Sequence, residues 1–139
     1  MRFLLDTCAV SELANPRPNP GVIAWMGDHD ESSLYLSVVT LGEIQKGISQ
    51  LANRDRQASL NEWLHGAVVE RFSDRLLLLD ADIMRHWGHV LGEQARRGIT
   101  LPVVDMLVAA TAQVHDMTVV TRHVADMERC GAPVANPWR

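Results

Sequence analysis

The stretch Leu101-Pro-Val-Val-Asp-Met-Leu-Val-Ala-Ala-Thr-Ala112 decides the fold. Its one charge is Asp105; every other residue is apolar, small or hydroxyl-bearing. Pro102 suits a first helical turn and no breaker follows before His115, so the segment reads as a helix. Valine, methionine, leucine and alanine fall on all sides of it, which predicts a buried central helix with no solvated face. An ionised carboxylate is costly there. Asp105 lies about one turn in, where the helix dipole and free N–H groups favour an anion. A dipole effect of about 0.3–1 kcal/mol does not offset such burial, so a positive partner is required.

Outward from this helix the chain alternates strands and helices. Arg2-Phe-Leu-Leu5 reads as a strand closed by Asp6-Thr7, followed by a helical turn at Val10-Ser-Glu-Leu13 and a proline-punctuated connection at Asn15–Pro20. A short helix fits Gly21 to Met26, and Leu34-Tyr-Leu-Ser37 is a second strand. Leu41, Ile44, Ile48 and Leu51 then recur at helical spacing, and Asp55 to Arg71 is a polar amphipathic helix. Leu76-Leu-Leu-Leu79 is a continuous apolar run, expected as a strand covered on both faces. Asp80 caps a long helix that Gly98 ends. After the central helix come a strand at Met117–Val120, a weak helix at His123–Arg129, and an edge strand near Ala132-Pro-Val134. This pattern predicts an α/β fold, a mainly parallel sheet of four or five strands with helices on both faces.

The totals bound the rest. A chain of 139 residues makes one domain, 1–139. No apolar run approaches the ~18 residues of a membrane span, and Asp6 interrupts the first apolar stretch too early for a signal sequence. No membrane contact and a cytoplasmic location are expected. Cys8 and Cys130 form no C-x-x-C pair, so no disulfide framework or zinc site is indicated. A net charge of −4 argues against gripping nucleic acid by bulk electrostatics. The basic residues are nearly all arginine, whose planar fork matches phosphate or carboxylate oxygens; the single lysine is Lys46.

Ligand sites in open α/β sheets form beyond the carboxyl ends of the strands. Asp6, Glu43, Asp105 and Asp126 all fall on that rim. Each also has a structural reading. Asp6 can cap the next turn; Thr40-x-x-Glu43 matches a capping box; Asp126 can be a solvated surface acid. Converging carboxylates repel, so protons or cations occupy the gap. An all-oxygen set suits magnesium or manganese rather than zinc. Such an ion favours phosphodiester hydrolysis. Nucleotide and dinucleotide loops and a G-x-S-x-G nucleophile elbow are absent. His86 and His89, three apart with Asp82 a turn earlier, offer a second metal reading, against surface decoration.

At Leu4-Leu-Asp-Thr7, Ser37-Val-Val-Thr-Leu-Gly-Glu-Ile44, Pro102 to Ala112 and Val119-Val-Thr-Arg122 the chain resembles the PIN-domain family, within it the VapC-type toxins of type II toxin–antitoxin pairs. Val10-Ser-Glu-Leu13 and Asn136-Pro-Trp138 resemble the FitB-like branch. The resemblance implies a three-layer α/β/α sandwich and a magnesium-dependent endoribonuclease, often dimeric and silenced by a cognate antitoxin. It implies Asp6 and Asp105 as principal metal ligands, Glu43 completing the cluster and Asp126 as fourth acid. Thr121 becomes the hydroxyl near the site, though it serves equally well as a helix cap. Cys8, His123 and Met127 depart from the family pattern.

Two functions follow. One is a toxin cutting RNA by metal-assisted hydrolysis, with Arg17, Lys46, Arg96, Arg97 and Arg122 as candidate phosphate contacts. The other is a non-catalytic or weakly catalytic partner of the antitoxin on operator DNA, which it reaches through the antitoxin. Leu51, Leu60, Trp63 and Leu64 supply apolar surface for a second copy or an antitoxin helix.

Overall fold

The computed structural model describes residues 1–139. Five parallel strands, β1 (Phe3–Leu5), β2 (Leu34–Ser37), β3 (Leu76–Leu77), β4 (Thr118–Val120) and β5 (Val134–Ala135), form one sheet in the order β3-β2-β1-β4-β5. The chain starts in the middle, fills one side, then returns to fill the other. Phe3 aligns with Leu34 on one neighbour and Thr118 on the other.

Alternation along the strands divides the core in two. Leu4 and Val119 face α6 (Ala81–Arg96), α7 (Val103–His115) and α8 (Val124–Arg129), packing with Ile83, Met106 and Met127. Phe3, Leu5, Leu34, Leu36 and Val120 face the opposite layer, packing with Ile44, Ile48, Leu64, Val68 and Phe72. That layer holds α1 (Thr7–Glu12), α2 (Pro20–Asp28), α3 (Val38–Ser49) and α4 (Arg54–Glu62). A π-helical stretch (Trp63–Val68) and a last turn, α5 (Val69–Arg71), continue α4. The three-layer α/β/α sandwich is therefore as expected, and no helix is long and apolar enough to cross a membrane.

Three expectations need correction. Leu76 to Leu79 is not a strand covered on both faces: β3 is a two-residue edge strand and Leu78 is 67% exposed. The central helix has a solvated beginning, because Val103 and Val104 are 54% and 40% exposed in its first turn, after the connection from α6. Pro102 precedes it as N-cap. Thr40 caps nothing: α3 starts directly at the end of β2, Ser37 Oγ accepts from the Val39 N–H at 3.1 Å, and Glu43 falls in the second turn. Asp80 does cap α6, and Gly98 turns the chain at φ 73°.

A buried arginine ties β2 to the helix that precedes β3. Arg75 donates at 2.6 Å to the carbonyls of Glu31, Leu34 and Arg71, and its guanidinium lies over the Phe72 ring. At the C-terminus, the Asn19 side chain accepts from the Arg139 N–H and donates to its carbonyl, and Arg122 stacks over Trp138.

Candidate metal centre

Asp6 leaves the central strand at its carboxyl end, beside β4, where the strand order reverses. That position follows the rule for ligand crevices in parallel sheets. Asp6 is 5% exposed. Oδ1 accepts from the Thr7 N–H at 2.9 Å as the cap of α1, and Oδ2 accepts from Thr121 Oγ1 at 2.8 Å. Asp6 is thus the cap of α1 and at the same time the acceptor of the Thr121 hydroxyl. Thr121 Oγ1 in turn accepts from the His123 N–H at 3.0 Å, but the cap position of α8 is His123 itself, so Thr121 is not the helix cap it was expected to serve as.

Glu43 reaches the same rim from α3, accepting from Thr7 Oγ1 at 2.7 Å through Oε1. Asp105 arrives on the first turn of α7, partly buried. Burial pushes its carboxyl above the ordinary value. Asp6, Asp126 and Glu43 raise it further, in that order, and His123 opposes them. The structure therefore brings Asp6, Glu43 and Asp126 within electrostatic reach of Asp105. Asp126 stands furthest out, 52% exposed, with Arg129 at 3.7 Å. Asp6, Glu43 and Asp105 have no lysine or arginine partner, since the six ion pairs lie elsewhere.

The donor set fits a hard divalent ion in kind: carboxylates and a hydroxyl, all oxygen. In spacing the set is open. No three acidic, imidazole or thiol groups stand close enough together to enclose an ion.

Two clefts flank Glu43. One, of about 470 Å³, is lined by Thr7, Ile44, Ile48, Leu51, Leu60 and Trp63, with Arg56 on its wall. The other, of about 560 Å³, places Lys46 beside Glu43 opposite Val104 and Leu107. Leu64 is not surplus surface but core, at 2% exposure. Among the arginines proposed for phosphate, Arg96 is paired with Glu93 and Arg122 lies on Trp138. His86 bonds Gln113 and Asp82 pairs with Arg85 instead of with one another. Sequence reasoning passed over Thr7 and Arg56. Thr7 carried a weak signal as the hydroxyl next to Asp6, but its contact with Glu43 depends on how α1 packs on α3.

Cys8, the second residue of α1, points at the same place. Its thiol lies 3.5 Å from Thr121 Oγ1 and accepts from the Arg122 N–H at 3.4 Å. Burial pushes this thiol's pKa up, so it is a packed neutral group.

Residues 3–123 match the family described as PIN domain, and the chain belongs to that family. It is 31% identical over 136 residues to Toxin FitB of Neisseria gonorrhoeae, covering 98% of each chain. Over 136 residues it is 30% identical to VapC ribonuclease Y4jK of Sinorhizobium fredii, covering 98% of this chain and 97% of that one. The structure of FitAB bound to IR36 DNA fragment contains a chain that superposes with a TM-score of 0.87 at 31% identity, covering 99% of this chain and 96% of that one.

Proposed function

We propose that this chain is the toxin of a type II toxin–antitoxin pair, a divalent-metal-dependent endoribonuclease acting in the cytoplasm as a single PIN-like unit over residues 1–139. The observation that carries the reading is Asp105. Its carboxyl is held above the ordinary value by burial and by Asp6, Asp126 and Glu43, with no basic side chain paired to it. Four acids at a switch point supply an all-oxygen donor set of the kind a hard divalent cation takes.

Asp6 and Asp105 would hold magnesium or manganese, with Glu43 completing the set and Asp126 contributing from the solvent side. A bound ion of this class polarises a phosphoryl oxygen and lowers the pKa of the attacking water. The chain's own part is positional. Thr121 fixes Asp6 through Oδ2 and leaves its remaining lone pairs for the ion. Lys46, at the cleft beside Glu43, is the basic group best placed to meet an RNA phosphate.

The relatives support an antitoxin partner, and operator DNA reached through it. The apolar groove along Ile44, Ile48, Leu51, Leu60 and Trp63 suits an amphipathic helix. An arginine from that helix would compete with the metal at the acids. Pairing with a second copy belongs to the same reading, through the exposed Val103 and Val104. A monomer in light scattering at micromolar concentration removes that part.

The test is magnesium-dependent cleavage of RNA by the wild-type chain and by Asp105→Asn. Cleavage is expected from the first and not from the second, both folded; equal cleavage rejects the assignment. The open spacing of the acids favours one other reading, a weakly catalytic partner in the DNA-bound complex. Millimolar magnesium raises the melting temperature if the site takes metal, and leaves it unchanged on that second reading.

A further inference from the structure

Thr7 is not an acid and stands beside the cluster, yet it grips two of its members. Its backbone N–H donates to Asp6 Oδ1 at 2.9 Å, and its hydroxyl donates to Glu43 Oε1 at 2.7 Å. The second bond spans 36 positions of sequence and joins the start of α1 to α3. It is the one side-chain hydrogen bond that Glu43 makes, and Lys46, one turn further along α3, is not paired with it.

A glutamate has three rotatable side-chain bonds and two open clefts beside it here, both lined by Thr7 and Glu43 themselves. Repulsion from Asp6 and Asp105 drives such a side chain outward into either cleft. A threonine is a stiff post, because its β-branch restricts χ1. We propose that Thr7 is a positioning residue of the metal centre, pinning Glu43 by one carboxylate oxygen and leaving the other for the ion. This inference rests on the reading that the acids hold a divalent cation. Outer partners of ligating carboxylates ordinarily change metal affinity by about 10–100-fold.

The hydroxyl can be removed without disturbing the N–H bond to Asp6, since valine has the same shape and keeps its backbone. The experiment is calorimetric titration of the full chain with manganese, together with metal-free melting. It compares wild type, Thr7→Val, Thr7→Ser, Glu43→Gln and the Thr7→Val/Glu43→Gln pair. Thr7→Val weakens manganese binding about 10–100-fold and Thr7→Ser restores it, while metal-free melting reports separately what the bond contributes to the fold. In the Glu43→Gln background Thr7→Val costs nothing more, because its partner is already altered. Thr7→Ala serves the same comparison should valine impair folding.

Manganese binding by Thr7→Val equal to wild type overturns the proposal, as does an undiminished loss in the Glu43→Gln background. A wild-type chain that binds no manganese removes the metal reading itself and the role of Thr7 with it. That outcome is recognised before any substitution is made.

Discussion

Thr121 donates its hydroxyl to Asp6 Oδ2 at 2.8 Å, joining the ends of the two adjacent strands β1 and β4. Both groups are buried, so the bond cannot be replaced by solvent. Thr121→Val leaves the Asp6 carboxylate one donor short. It is expected to lower stability by about 1–3 kcal/mol and RNA cleavage by about 10–100-fold, with Thr121→Ser recovering both. Denaturant melts and initial cleavage rates check this. A stability loss without a rate loss would reduce Thr121 to a structural tie between β1 and the turn that leads into α8.

Asp105 gives the metal-free protein a pH dependence of definite sign. Its carboxyl is raised from 3.8, first by burial and then by Asp6, Asp126 and Glu43. Between the unfolded value and the raised folded value the native chain binds more protons than the unfolded chain, so stability falls as pH rises through that window. Asp105→Asn removes the penalty. In chelator at neutral pH this variant should melt above wild type, and the gap should close as pH is lowered toward 3.8. A variant melting at or below wild type at neutral pH contradicts the placement of these charges.

Asp126 differs from the other acids in exposure and in having a partner, Arg129. Asp6→Asn and Asp105→Asn should abolish cleavage. Asp126→Asn should cost less than about tenfold, the low end for an outer group. Rates for the three single variants at saturating magnesium decide the order, and a loss at Asp126 as deep as at Asp6 promotes it to a principal ligand.

Arg75 makes a prediction about folding alone. On Arg75→Met the Leu34 and Arg71 carbonyls lose the guanidinium donor and the Glu31 carbonyl keeps only the Leu34 N–H, which should lower stability by about 1–3 kcal/mol for each buried acceptor left short. Arg75 lies outside the cluster of acids, so the fraction that remains folded should cleave RNA at the wild-type rate. Urea titration and activity per folded molecule test the two halves separately.

Much of this was readable from the residues because the hydrophobic pattern and the strand-end acids are local features. Leu34–Ser37 gave its strand with no change of boundary, and Asp80 and Gly98 marked both ends of α6. What was misread depends on contacts that sequence does not display. Thr40-x-x-Glu43 has the spelling of a capping box, but β2 runs into α3 without a loop, so Ser37 takes the cap and Glu43 is freed for the site. Four leucines in a row suggested burial on both faces, but β3 is at the edge of the sheet and only Leu76 and Leu77 pair. Thr7 and Arg75 could not be found by pattern, because each acquires its meaning from partners tens of positions away.

The winding of the sheet has a consequence during synthesis. Asp6 and Glu43 belong to the half laid down first, whereas Asp105, Thr121 and Asp126 follow the return of the chain to the far side of β1. A nascent polypeptide that stops short of Leu101 carries two of the acids and lacks β4 altogether. The four acids are present together only after Asp126 has been added, so a shorter nascent copy lacks part of the proposed centre.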